Sequence, residues 1–111
     1  MRAWMFHGPG DLRLEDVEPT RPGPGEVAVE IRAAATCGTD LKLIRRGHPK
    51  VPFPVVLGHE LTGVVARVGG GARFSIGDRV TATVSGPCGR CVECEAGREN
   101  LCPTAFDHPL W

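Results

Sequence analysis

The stretch Glu26-Val-Ala-Val-Glu-Ile-Arg-Ala-Ala-Ala35 is the clearest strand in the sequence. Residues 27, 29, 31 and 33 are apolar and residues 30 and 32 are charged, the two-residue alternation of a strand with one buried face. Shorter candidate strands lie at residues 3–6, 12–17, 61–68 and 80–85. The 15 glycines and 10 prolines are scattered between these segments and indicate frequent turns. The pattern predicts a mainly β domain, a small barrel of five or six short strands.

A short helix is predicted directly after this strand. The segment Cys37-Gly-Thr-Asp40 begins it, with Thr39 or Asp40 as the N-cap. Gly47 ends it after about residue 46. One further helical turn is expected near residues 91–96. The predicted fold therefore contains one or two short helices.

Length and composition limit the classes of protein to which the chain can belong. Its 111 residues suit one domain. Its 13 basic and 13 acidic residues are spread evenly, so we expect neither a nucleic acid nor a membrane surface as partner. No apolar run is long enough to span a bilayer, and the first seven residues lack the apolar core of a signal peptide. We therefore expect a cytoplasmic protein.

Four of the five cysteines fall within fifteen positions, and they provide the strongest functional signal. The ligand pattern is Cys88-Gly-Arg-Cys91-Val-Glu-Cys94, followed after seven more residues by Cys102. Four thiolates suit a tetrahedral Zn²⁺ without an open position, which is a structural site. Buried unliganded thiols are a weaker alternative because the surrounding residues are polar. An iron–sulfur cluster is the other alternative, but the last gap in the comparable ferredoxin run is three residues. The sequence predicts a structural zinc lobe over residues 88–102.

Cys37 and His59 together suggest a second metal site. Cys37 follows one predicted strand and His59 precedes another, so two neighbouring strand ends can bring a thiolate and an imidazole to one ion. A catalytic zinc has three protein ligands and one open position, and Glu60 is the candidate third ligand here. The remaining histidines, His7, His48 and His108, are expected to be structural or exposed. No glycine-rich phosphate loop or dinucleotide motif is present in the 111 residues, so no cofactor-binding residue is assigned.

Five motifs in order resemble the N-terminal catalytic, GroES-like domain of zinc-dependent medium-chain alcohol dehydrogenases. They are Pro22-Gly-Pro-Gly-Glu-Val27, Cys37-Gly-Thr-Asp40, Pro54-Val-Val-Leu-Gly-His-Glu60, Gly77-Asp-Arg-Val80 and Arg98-Glu-Asn-Leu-Cys102. The resemblance covers about residues 1–104. The Cys-Gly-Thr-Asp motif looks closer to the polyol, threonine and sugar dehydrogenase branch than to the simple-alcohol branch. The resemblance implies a partly open GroES-like β-barrel over residues 1–111 with a loop-built zinc lobe.

The resemblance also implies roles for individual residues. Cys37 and His59 would be catalytic zinc ligands, with Glu60 beside the metal. Asp40 would accept the second ring N–H of His59, and the Thr39 hydroxyl would take the substrate proton. Cys88, Cys91, Cys94 and Cys102 would hold the structural zinc. Members that oxidise simple alcohols have a histidine five positions after the catalytic cysteine, where this chain has Lys42.

Family members continue into a Rossmann domain that binds NAD(P) and returns a third zinc ligand. These 111 residues contain neither feature, so we expect no dehydrogenase activity from them alone, one tight zinc, a weak second site and possible self-association through uncovered apolar surface. In the full-length context the implied substrate is a small alcohol or polyol. A stand-alone zinc-binding or scaffolding module is the alternative. A zinc-ribbon nucleic-acid binder is disfavoured by the neutral charge balance and the few aromatic residues.

Overall fold

The computed structural model describes residues 1–84 and 86–105, and it contains two three-stranded antiparallel sheets. The strands, in chain order, are β1 (Arg2–Gly8), β2 (Asp11–Asp16), β3 (Val27–Ala35), β4 (Val55–Val56), β5 (Glu60–Val68) and β6 (Arg79–Thr81). The helical elements are α1 (Gly38–Arg46), α2 (Val92–Glu95) and a 3-10 helix (Glu99–Leu101). The prediction of a mainly β fold with few short helices is confirmed. Within the described residues the sheets do not close into a barrel, which agrees with the partly open form.

The first sheet has the strand order β2-β1-β4 and contains a fully buried aromatic side chain. A tight turn at Pro9 and Gly10 joins β1 to β2, and Trp4 is paired with Leu14 across the hairpin. Phe6 is 0% exposed and its ring meets the edge of Phe53, with ring centroids 6.0 Å apart. This aromatic contact stabilises the joint between β1 and the proline-rich segment before β4.

The second sheet has the order β3-β5-β6. The register between β3 and β5 determines which end of one strand lies beside which end of the other. β3 and β5 are paired from Val27 opposite Val68 to Ala35 opposite Glu60. The register shifts twice along β3, so its side chains do not alternate as simply as the sequence predicted. Gly63 lies opposite Ile31, and a Cβ at Gly63 would overlap the backbone of β3. Glycine is required there by close strand approach.

Helix α1 follows β3 after two residues, and its first turn differs from the prediction. Its N-cap is Cys37, whose sulfur accepts the Thr39 N–H, whereas the sequence predicted Thr39 or Asp40 as the cap. Asp40 completes a capping box by accepting the backbone N–H of Cys37. Gly47 is the C-cap with φ of 67°, as predicted. A thiol can cap a helix here because Asp40 fixes the backbone of the capping residue.

One predicted strand is shorter than expected, and exposed apolar surface bears on a second prediction. The strand predicted at residues 80–85 begins at Arg79 and ends at Thr81, and residue 85 lies outside the described residues. Large apolar side chains are exposed, including Trp4 at 57% and Ile76 at 72%; self-association through such surface stays a prediction. In residues 1–84 and 86–105, no helix is long and apolar enough to cross a bilayer.

Candidate metal centres

The antiparallel register of β3 and β5 brings Cys37 and His59 together. Ala35, the last residue of β3, is paired with Glu60, the first residue of β5. Cys37 therefore lies just beyond one strand end, and His59 just before the other. The Cys37 Sγ lies 3.1 Å from His59 Nε2 although the two residues are 22 positions apart. The structure thus brings together the thiol and the imidazole that the sequence predicted as partners.

Asp40 contacts both of these residues through separate oxygens. Its Oδ2 accepts the backbone N–H of Cys37 at 2.8 Å. Its Oδ1 lies 3.4 Å from His59 Nδ1, and both side chains are buried, with each residue 5% exposed. A buried carboxylate beside Nδ1 favours a proton on that nitrogen, which keeps the Nε2 lone pair available to a metal ion shared with Cys37. The carboxylate therefore orients the imidazole and the cysteine backbone together.

The surroundings of the Cys37 sulfur favour its thiolate form. Hydrogen bonding from Thr39, through its side chain and then its backbone N–H, lowers the pKa of Cys37 from its ordinary value. The Thr39 N–H lies 3.2 Å from Sγ. Because α1 begins at this residue, the N-terminal end of the helix also favours negative charge on the sulfur. Thr39 itself is an exposed residue.

The donor atoms of Cys37, Asp40 and His59 all lie within 4.8 Å of one another, which suits one metal ion. A thiolate and an imidazole are ligands that zinc prefers. Both Asp40 oxygens already face the backbone N–H of Cys37 and the His59 ring, so an orienting role fits this carboxylate better than ligation. Glu60, the candidate third ligand from the sequence, is exposed and follows His59 at the start of β5.

An open cavity of about 620 Å³ adjoins this group, and His59 and Glu60 form part of its wall. The rest of the wall is mostly alanine and threonine at or just beyond the ends of β3, β5 and β6: Ala33, Ala34, Ala35, Leu61, Thr62, Thr81, Ala82, Thr83 and Val84. The hydroxyls of Thr62 and Thr81 are bonded across the sheet to backbone carbonyls. The cavity is therefore a largely apolar space beside the imidazole, with room for a small molecule.

The four clustered cysteines converge in a separate lobe. Cys91 immediately precedes α2, Cys94 lies within it, and Cys102 follows the 3-10 helix. The sulfur atoms of Cys88, Cys91, Cys94 and Cys102 all lie within 4.8 Å of one another, and none is in a disulfide. The Cys91 and Cys94 sulfurs are 3.5 Å apart. Four sulfurs at this spacing fit a tetrahedral ion with no position left for another ligand.

The thiols of this lobe differ in how readily they ionise. Hydrogen bonding from Thr104 lowers the pKa of Cys102 to about 6, whereas burial raises the pKa of Cys94 to about 12. A backbone N–H at Arg90 lowers the pKa of Cys88. Four thiolates side by side repel one another, so full ionisation requires a cation among them. No role for Thr104 was predicted from the sequence. A hydroxyl side chain two positions after a candidate ligand cysteine does, however, indicate a hydrogen bond to its sulfur.

His7 and His48 make contacts of their own outside these two groups. The His7 Nε2 is 2.7 Å from the Glu15 carboxylate across the β1–β2 hairpin. His48 is exposed and accepts the backbone N–H of Lys50 at 3.2 Å. His108 lies outside the described residues. The first two contacts agree with structural or surface roles.

Comparison with known proteins finds relatives that match most of the chain. The model of the alcohol dehydrogenase GroES-like domain family matches residues 23–109. An L-threonine 3-dehydrogenase of Deinococcus radiodurans is 40% identical over 107 residues, which cover 92% of this chain and 31% of that protein. A sorbitol dehydrogenase of Ovis aries is 43% identical over 105 residues, covering 92% of this chain and 30% of that protein. The chain therefore spans about a third of the length of these relatives.

Solved structures give the same match in three dimensions. An NAD-dependent alcohol dehydrogenase superposes with a TM-score of 0.81 at 39% identity, over 99% of this chain and 35% of that one. The cobalt- and zinc-bound thermostable alcohol dehydrogenase of Pyrobaculum aerophilum superposes with a TM-score of 0.86 at 33% identity, over 98% of this chain and 34% of that one. These values show that the chain has the same fold as the matching third of each alcohol dehydrogenase.

Proposed function

Since this chain belongs to the alcohol dehydrogenase GroES-like domain family, we propose that it is the zinc-binding catalytic domain of an NAD(P)-dependent dehydrogenase acting on an alcohol or polyol. The observation that carries the proposal is the 3.1 Å approach of the Cys37 sulfur to His59 Nε2, with a buried carboxylate behind the imidazole. Threonine and sorbitol dehydrogenases among the relatives support this substrate class.

Cys37 and His59 are the residues that would hold the catalytic zinc, through Sγ and Nε2. When bound at such a site, zinc lowers the pKa of an alcohol hydroxyl so that it is readily deprotonated. Asp40 keeps the His59 ring turned toward the sulfur and holds a proton at Nδ1. Thr39 offers its exposed hydroxyl beside the sulfur, where it would take the substrate proton and pass it to solvent. The open cavity beside His59 would receive the carbon skeleton of the substrate.

The four-cysteine lobe would hold a second zinc with a structural role. Its four thiols provide a complete set of sulfur ligands, so no position remains for a substrate. Both proposed sites need reduced thiols, which favours a reducing compartment such as the cytoplasm.

Dehydrogenation also needs a hydride acceptor, and we assign its binding to residues outside these 111. The sequence printed here has no glycine-rich dinucleotide motif. We therefore propose that these residues alone do not oxidise alcohols. A stand-alone scaffolding module is the alternative, but scaffolding does not require a buried carboxylate and imidazole beside a cysteine sulfur.

Cobalt substitution tests the proposed catalytic centre. Co²⁺ added to the metal-free chain should fill the lobe first and then bind weakly at a second site, with a thiolate-to-cobalt absorption band. That second band should be lost in Cys37→Ser and in His59→Ala, and kept in His7→Ala, a matched histidine variant outside the site. Absence of any second cobalt site at millimolar metal, or its persistence in both centre variants, would contradict the assignment. Oxidation of an alcohol with NAD⁺ by these residues alone would contradict their proposed dependence on a further domain.

A further inference from the structure

One pair of lobe cysteines lies where a disulfide can form. Cys91 immediately precedes α2 and Cys94 lies within it, and their sulfur atoms are 3.5 Å apart. Both are free thiols in the structure. Since the sulfurs of a disulfide are about 2 Å apart, bond formation needs an approach of only about 1.5 Å. Rotation of the two side chains can supply a movement of this size.

Both thiols of this pair can be reached from solvent. Cys91 and Cys94 are half-buried, whereas Cys102 is only 7% exposed. Val92, between the two, is 75% exposed, and residues 95–101 are exposed throughout. A small neutral oxidant such as hydrogen peroxide can therefore reach the pair. Cysteines that are accessible and have a second cysteine close by are the ones that peroxide oxidises reversibly.

Cys37 lacks such a neighbour. The group around its sulfur consists of Asp40 and His59, and among the described residues no other cysteine belongs to that group. A sulfenic acid formed at Cys37 would therefore have no nearby thiol with which to condense. Oxidation to a disulfide within one chain is thus expected in the lobe and not at Cys37.

The lobe adjoins the wall of the cavity beside His59. Residues 82–84 form part of that wall, and the lobe begins four positions after them. At the neck of the lobe, the Gly86 N–H donates to the Ala105 carbonyl at 3.0 Å. The Ala105 N–H in turn donates to the Cys102 carbonyl at 3.2 Å. On the lobe side, the cavity wall is therefore held by backbone contacts that depend on the position of Cys102.

We propose that hydroperoxides oxidise Cys91 and Cys94 to a disulfide, which expels the zinc of the lobe and loosens the cavity wall at residues 82–84. One sulfur attacks a peroxide oxygen and the O–O bond breaks, which gives a sulfenic acid and one water. The second sulfur displaces the sulfenic hydroxyl, so that the S–S bond forms and a second water leaves. Two thiols thereby lose two electrons and two protons, and one peroxide is reduced to two waters. Any proton that a metal-bound sulfur lacks comes from solvent.

The disulfide leaves too few ligands to hold the metal. Cys88 and Cys102 are the two sulfurs that remain, whereas a structural zinc site needs four ligands. These two sulfurs take up protons as the zinc leaves. Reduction of the disulfide by a dithiol regenerates all four ligands, so the change is reversible. The proposal rests on the proposed function in one respect, the zinc that it places in the lobe.

Peroxide treatment of the zinc-loaded chain tests this switch. Hydrogen peroxide should release about one zinc to a chromogenic chelator for each peroxide consumed. Peptide mass mapping should find the disulfide between Cys91 and Cys94. Hydrogen exchange should become faster at residues 82–84. Dithiothreitol with added zinc should reverse all three changes.

Two histidine variants isolate the role of the pair. Cys91→His and Cys88→His each keep four zinc ligands, because three cysteines and one histidine also form structural zinc sites. Only Cys88→His keeps Cys91 and Cys94 together. Cys91→His should release zinc about tenfold more slowly, since the residue that resolves the Cys94 sulfenic acid is gone, and Cys88→His should match the parent chain. If either variant fails to bind zinc, the disulfide mapped in the parent chain decides.

The outcomes separate this proposal from the proposed function. Zinc that stays bound in peroxide, a first disulfide between other cysteines, or equal slowing in both histidine variants would overturn the switch and leave the proposed function standing. Zinc release with unchanged exchange at residues 82–84 would overturn the effect on the cavity wall. A reduced chain whose lobe binds no zinc would contradict the proposed function, and the switch with it.

Discussion

The four-cysteine lobe and the Cys37 centre (Cys37, Asp40 and His59) both offer thiols to a metal, but they are held in place differently. The lobe takes all its ligands from fifteen consecutive residues, with only short helical turns between them. The Cys37 centre takes its groups from the start of α1 and the start of β5, 22 positions apart. Its three residues are already linked by a capping box and a buried carboxylate.

This difference predicts opposite dependence on metal. In the lobe, four sulfurs within 4.8 Å have no strand around them in the described residues, so a cation must supply the attraction that holds the loop together. In the Cys37 centre, a sheet and a helix place the same kinds of group without an ion. The lobe should therefore need its zinc to fold, and the Cys37 centre should fold without one.

The largest expected effect is from Cys94→Ser. Loss of one of four sulfur ligands should weaken zinc binding at least about a thousandfold, or roughly 4 kcal/mol. Because the lobe depends on that ion, amide protons of residues 88–105 should then exchange rapidly. Hydrogen exchange and chelator competition measure both effects. Exchange in the lobe that stays as slow as in the parent chain would show that packing, not metal, holds it.

Asp40→Ala should cost about 1–3 kcal/mol of unfolding free energy, because it removes a helix capping contact and leaves buried polar groups without their partner. Asp40→Asn is the matched control, since its amide oxygen can still accept the Cys37 N–H. Urea unfolding at saturating zinc measures both variants. If asparagine proved as damaging as alanine, the charge of Asp40, and not its capping contact, would hold the centre together.

The lobe should bind zinc more tightly as pH rises. At pH 7 the thiol of Cys94, with its pKa raised to about 12 by burial, keeps its proton, whereas Cys102, with its pKa lowered to about 6 by Thr104, has already lost its own. Binding must release at least the Cys94 proton, so affinity should rise at least about tenfold per pH unit between pH 7 and 8. Below pH 6 the slope should steepen, as Cys102 also holds a proton. A flat profile in a chelator competition would contradict this account.

The smallest effect is expected from Cys37→Ser. Serine keeps a side-chain acceptor for the Thr39 N–H, so the helix cap survives and stability should change by less than about 0.5 kcal/mol. Cys37→Ala, which has no acceptor, should lose about 1 kcal/mol. Urea unfolding separates the two variants. A serine variant as unstable as the alanine variant would show that the sulfur itself, and not the cap, stabilises α1.

The same contrast explains what the sequence could predict. The convergence of the lobe's sulfurs could be predicted from sequence spacing, because the segments between its cysteines are short and keep the side chains close. The four cysteines are Cys88, Cys91, Cys94 and Cys102. The pairing of Cys37 with His59 was inferred from strand ends, and its distance depends on the β3–β5 register, which alternation did not determine. Cys37 as N-cap was missed because sulfur is a rare cap, and Asp40 as its backbone partner could be recognised only once the helix start was known.

The number of tightly bound zinc ions per chain, counted by native mass spectrometry with variants of each site, tests most directly whether the two sites differ as described. The parent chain and Cys37→Ser should each retain one zinc, and Cys94→Ser should retain none. Two tight zinc ions in the parent chain with one lost in Cys37→Ser would contradict the account, because the Cys37 centre would then hold its metal without a ligand from outside these residues.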